Sequence, residues 1–118
     1  PDLMFIASNH FDRIKPTKID GPADLVVEIL SKSTRDVDLN KKIPKYLESG
    51  VKEVWIVDPI QKSFTVKTSE SETTWYNGDP KSNTFINSKV LEHLAFNPSW
   101  IWHRKQFSAN KIIKGFMK

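Results

Sequence analysis

Two carboxylates stand inside runs that a β-sheet would bury. Asp2 opens the apolar run Pro1-Asp2-Leu3-Met4-Phe5-Ile6-Ala7, and Glu28 interrupts Leu25-Val26-Val27-Glu28-Ile29-Leu30. An ionised carboxylate in a buried strand is costly unless a cation, a hydrogen-bonding partner or a proton offsets it. If the two runs pair antiparallel with paired residue numbers summing to about 30, Asp2 lies across from Glu28 with Cβ atoms roughly 5 Å apart. Two charges at that distance repel by about 3 kcal/mol at an effective dielectric of about 20. A divalent cation between them turns the repulsion into attraction. The chain has no cysteine, and His10, His93 and His103 show no metal-ligand spacing. Any bound metal must therefore take oxygen ligands, which suits Mg²⁺ or Mn²⁺. Asp24 points to the same face as Glu28, but four residues along a strand is roughly 13 Å, too far to share the ion easily.

The third group of interest is a lysine. Leu39, Ile43, Tyr46 and Leu47 recur at helical spacing. With Leu39 at zero and about 100° per residue, Lys42 falls at roughly −60°, at the border of the buried face, while Lys41 and Lys45 fall at roughly 200° and 240°, on the solvent side. Lys42 is thus aimed toward the sheet that carries Asp2 and Glu28. Two acids and a lysine meeting at one point could hold a metal, orient a water and neutralise charge on phosphorus during phosphodiester hydrolysis. A structural ion pair between Glu28 and Lys42, without metal, is the competing reading. Asp58 in Val57-Asp58-Pro59 reads as a turn-former. Trp55, Trp75, Trp100 and Trp102 read as core or interface residues and His93 as packing.

The elements needed to position these groups follow from pattern. Residues 1–7 are expected to form a strand, 8–23 a polar loop, and 24–30 a strand covered on both faces, so that Glu28 is poorly solvated. A helix is expected from about 38 to 49, capped by Asp36 or Asp38 and ended by Gly50. Pro44 lacks an amide hydrogen, which predicts a late start or a local kink. Glu53–Pro59 and Ser63–Thr68 read as a hairpin, Thr73–Tyr76 as a short strand closed by the Asn77-Gly78-Asp79-Pro80 turn, and Thr84-Phe85-Ile86 as its return partner. Asn97-Pro98 opens a final aromatic helix through Trp100, Ile101 and Trp102. This order gives an α/β domain with a mixed sheet.

At 118 residues, 38% hydrophobic and 27% charged, the chain has the size and composition of one soluble domain. No apolar stretch approaches the roughly 20 residues of a membrane helix. No secretory leader is visible, so a cytoplasmic location is expected. Opening on Pro1 rather than methionine, the chain is expected to be part of a longer protein. The net charge of +4 resides at the end, where Arg104, Lys105, Lys111, Lys114 and Lys118 follow the last acid, Glu92. Residues 103–118 thus form a basic extension that suits a phosphate-bearing partner.

The ordered set Asp24-Leu25-Val26-Val27-Glu28-Ile29-Leu30-Ser31, Ser33-Thr34-Arg35, Asp38-Leu39, Lys42, Tyr46, Gly50-Val51 and Glu53-Val54-Trp55-Ile56-Val57-Asp58-Pro59 resembles a large bacterial family of uncharacterised restriction endonucleases, a branch of the PD-(D/E)xK nuclease superfamily. The resemblance runs over residues 1–95, from Pro1-Asp2 to Ser88-Lys89-Val90-Leu91, and leaves Trp100, Trp102 and the basic end outside it. It implies a restriction-endonuclease-like core of αβββαβ type whose first helix lies outside this chain. It also implies Asp2 and Glu28 as the metal-holding acids, and a catalytic lysine. The superfamily lysine stands two residues after the second acid, where this chain has Leu30, and the resemblance transfers that role to Lys42. Lys32 departs from the family pattern, which has a proline there. The resulting expectation is a nuclease that uses Mg²⁺ or Mn²⁺ on nucleic acid, DNA in particular, with homodimerisation by analogy. The alternative is a catalytically silent module on the same fold that binds nucleic acid or protein.

Overall fold

Five strands form one sheet in the order β1-β2-β3-β4-β5: Leu3–Phe5, Leu25–Ile29, Glu53–Asp58, Ser63–Lys67 and Glu72–Tyr76. The structure is a computed structural model and describes residues 1–76, 85–92 and 94–102. Only β2 and β3 run parallel; the other neighbours are antiparallel. A parallel pair needs a crossover connection. Here it is helical: α1 (Arg35–Val37), a π-helical segment (Asp38–Lys42) and α2 (Ile43–Glu48) follow one another without a break.

The β1–β2 register pairs Leu3 with Val27, Met4 with Val26 and Phe5 with Leu25, the pairing that sets Asp2 at the Glu28 end. The strands are shorter than the apolar runs that announce them. Along β2, Val26, Glu28 and Leu30 face the helix, where Ala23, Val26, Leu30, Ile43, Val51, Val54 and Ile56 make the core, with Ile6, Leu39, Tyr46 and Leu47 packed against it. On the opposite face Phe64 is buried against Trp55 and Trp75, with ring centroids 5.7 and 6.3 Å away. That face is less complete than a doubly covered strand requires, since Ile29 is exposed.

The helix begins earlier than the apolar spacing predicts, at Arg35, and neither Asp36 nor Asp38 caps it: the N-cap is Thr34, with no side-chain cap bond. The irregularity expected at Pro44 takes the form of the π turn, closed by the Ile43 N–H donating to the Asp38 carbonyl. Pro44 offers no donor to the preceding turn and its ring crowds it. A wider turn just before Ile43 relieves both, and leaves Pro44 in the first turn of α2. At the far end Val51 N donates to Tyr46 O at 3.0 Å and Gly50 N to Leu47 O at 3.2 Å. This is a Schellman closure, with Gly50 at φ +107° supplying the left-handed residue.

Two further expectations are corrected. The 8–23 connection is not simply a loop: Ser8–Arg13 is a 3₁₀ helix and Ile14 bridges Ile19. Buried Asp24 organises it, accepting the Ala7 N–H at 2.7 Å and facing His10 Nδ1 at 2.8 Å. Burial alone would raise the Asp24 carboxyl, but these partners outweigh it and hold it below the usual carboxylate range. Nor does Ile86 return onto β5: β6 (Ile86–Asn87) pairs with β7 (Ala95–Phe96) in a separate two-stranded sheet, and Thr84 lies outside the described residues. Ser88, just after β6, donates to buried Glu53 Oε2 at 2.6 Å, tying this unit to β3. A short helix, α3, spans Ser99–Trp102. The Asn77–Pro80 turn, His93, His103 and the basic extension 103–118 lie outside the described residues. Among the described residues no helix is long and apolar enough to cross a membrane.

Candidate active site

β2 presents Glu28 to the helix between two core residues, Val26 and Leu30, and only 3% of it remains accessible. Its Oε1 accepts the Tyr46 hydroxyl at 2.7 Å, and the Pro1 nitrogen lies 3.5 Å from the same oxygen. Asp2, continuing the β1 register toward Glu28, is exposed. Its amide donates to Val27 O at 3.2 Å and its Oδ2 accepts the Ile29 N–H at 2.7 Å. Asp2 therefore clamps the edge strand onto β2.

From the helix come Thr34, Asp38, Lys42 and Tyr46, one stripe at four-residue spacing. Asp38 is 2% exposed. Its Oδ2 accepts the Thr34 hydroxyl at 3.0 Å. Its Oδ1 has the Lys42 ammonium 3.3 Å away, an ionic contact without hydrogen-bond alignment. Lys42 keeps 48% of its side chain in solvent. The ion pair of Lys42 is thus with Asp38, one turn earlier, and the alternative Glu28–Lys42 ion pair is not the one observed. Tyr46 sits among the acids: burial pushes its phenol up, and the hydrogen bond and charge of Glu28, then the charges of Asp38 and Asp2, push it further.

Sequence reasoning passed over two members of this cluster. Asp38 read as a helix cap and Tyr46 as core. Their four-residue spacing with Lys42 on one helix edge was the available signal, since i, i+4 residues face each other. Asp58 does the turn-forming expected of it, its Oδ1 accepting the Ile60 and Gln61 N–H groups at 3.1 and 3.2 Å. It also forms an ion pair with Arg35. Burial would raise its carboxyl, but the bond from Arg35, the two amides and the guanidinium charge hold it below the ordinary range.

Among the described residues no group of three or more His, Cys, Asp or Glu side chains could hold a metal ion. Asp2 and Glu28, set opposite each other by the β1–β2 register, would supply two carboxylates. That fits a magnesium-type ion, which takes one or two carboxylates and fills its remaining positions with water and substrate phosphate. It does not fit a soft metal.

Comparison with known proteins adds family and fold. A family model, Uma2, described as "Putative restriction endonuclease", matches residues 1–97. No curated protein matches the chain. Among solved structures, a protein from Anabaena variabilis ATCC 29413 described as a "putative nuclease belonging to DUF820" superposes with a TM-score of 0.60 at 18% identity, over 87% of this chain and 56% of that one. The chain therefore spans a little over half the length of that structure, and the likeness is one of fold. With the ordered motifs in place along a five-stranded mixed sheet and its crossover helix, the chain belongs to the Uma2 family.

Proposed function

We propose that this domain is part of a metal-dependent endonuclease built on a restriction-endonuclease-like αβββαβ core, with Asp2, Glu28 and Lys42 as its working residues and DNA as its substrate. The observation that carries the reading is Glu28. A carboxylate on the core side of a central strand, with one oxygen tied to a tyrosine and Asp2 one strand away, is costly as architecture and useful as a ligand. Asp2 and Glu28 would hold Mg²⁺, which when bound supplies charge neutralisation on phosphate and a lower water pKa. Asp2, at the open edge, meets solvent and substrate first. Lys42 brings a positive charge on a half-exposed side chain that can reach a phosphate oxygen, while buried Asp38 limits where that charge can go. The basic end of the chain would contact the nucleic-acid backbone.

The test is plasmid nicking by the full-length protein in Mg²⁺ or Mn²⁺. Glu28→Ala should reduce nicking by on the order of a hundredfold or more, as expected when a principal electrostatic group is removed. Unchanged nicking by that variant would take Glu28 out of the mechanism. No nicking, combined with salt-sensitive nucleic-acid binding that persists in EDTA, would identify the silent binding module instead.

A further inference from the structure

We infer that Tyr46 is a positioning residue for Glu28: its hydroxyl fixes the rotation of the carboxylate by occupying Oε1, so that Oε2 is the oxygen offered to a divalent cation. The inference rests on the reading of Asp2 and Glu28 as the metal-holding pair and adds to it how the second acid is aimed. A glutamate has three side-chain torsions, and burial between Val26 and Leu30 restricts the stem without fixing the terminal plane. The hydrogen bond of 2.7 Å from Tyr46 does fix it. The donor is itself immobile. Tyr46 packs against the core, and its backbone carbonyl accepts both the Val51 N–H at 3.0 Å and the Ser49 hydroxyl at 2.9 Å. The Schellman closure at Gly50 thus holds the last turn of α2, and with it the phenol, against the sheet. A tyrosine serving only to fill the core would not need its hydroxyl on Glu28, a buried acid of the candidate site. Partners that orient metal ligands in this way typically contribute ten- to a hundredfold in metal affinity.

The experiment is Mn²⁺ titration of the full-length protein without nucleic acid, followed by electron paramagnetic resonance, for wild type, Tyr46→Phe, Glu28→Gln and the double variant. Tyr46→Phe should weaken Mn²⁺ binding by about ten- to a hundredfold and have no further effect in the Glu28→Gln background. Wild-type affinity in Tyr46→Phe, or the same loss with and without Glu28, overturns the positioning role. If wild type itself binds no Mn²⁺, the metal-site reading falls and takes this inference with it. A second measurement reads the Tyr46 ring directly in the wild-type protein. In the full-length protein labelled with 3-fluorotyrosine, the ¹⁹F signal that Tyr46→Phe removes is that of Tyr46. That signal should move as Mg²⁺ saturates the site, and a signal indifferent to Mg²⁺ counts against the inference.

Discussion

The Arg35–Asp58 ion pair joins the first residue of the crossover helix to the last residue of β3, and replacing Arg35 by alanine tests how much of the fold depends on it. In Arg35→Ala, Asp58 Oδ1 keeps the Ile60 and Gln61 amides, while Oδ2 loses the guanidinium. The side chain of Asp58 is 5% exposed and that of Arg35 is 28% exposed. Breaking a fully buried pair costs about 3–5 kcal/mol, and breaking a surface pair less than about 1 kcal/mol. Water reaches the arginine side of this pair and two amides remain, so the loss should be about 2 kcal/mol. At roughly 4 °C per kcal/mol for a domain of this size, the melting temperature should fall by about 8 °C. The sign of the pH dependence follows from the depressed Asp58 carboxyl, which burial raises but Arg35 and the amides lower on balance. A group depressed in the folded state contributes stability above its unfolded pKa of about 4 and loses it as the pH falls through the folded value. The gap between wild type and Arg35→Ala should therefore be widest near neutrality and shrink below about pH 4. Urea unfolding at pH 7 and at pH 3 measures both. A cost below about 0.5 kcal/mol at pH 7, or a gap that stays constant on acidification, would refute the reasoning.

Two further outcomes are expected on the same scale. Phe64→Ala removes a buried ring that contacts Trp55 and Trp75; it should cost about 3–5 kcal/mol in urea unfolding and change tryptophan emission as the two indoles lose their common neighbour. Gly50→Ala puts a side chain on a residue at φ +107°, with its Cβ 3.3 Å from Pro22 Cγ; a loss of about 1–3 kcal/mol, seen as a lower urea midpoint at unchanged slope, is expected.

Much of the sheet was legible because strand signals are local. The apolar run from Leu25 to Leu30 and the alternation in Ser63–Thr68 are carried by consecutive residues, and β2, β4 and the β3–β4 hairpin lie where those patterns are. The β1–β2 register was also accessible: once the two acid-bearing runs are paired, the two-residue period leaves few registers that keep the apolar sets on the right faces. Burial of Glu28 followed from its apolar neighbours. By contrast, Ile86–Asn87 pairs with Ala95–Phe96 instead of β5, because two-residue strands carry almost no periodicity and find partners by where the chain has already been led.

For the candidate site the division runs between residue types and their partners. The amino-acid order alone indicated that Asp2 would stand opposite Glu28 in the β1–β2 register and that Glu28 would be short of water, since both follow from a period of two residues. Only the tertiary structure decided that Tyr46 donates to Glu28 and that the ammonium of Lys42 lies beside Asp38. The π turn ahead of Pro44 resets the phase of the helix between Asp38 and Ile43, so an ideal helical wheel cannot place the groups on either side of it. Which buried acid meets which donor is then set by how the helix seats on the sheet, a packing outcome that no local repeat encodes.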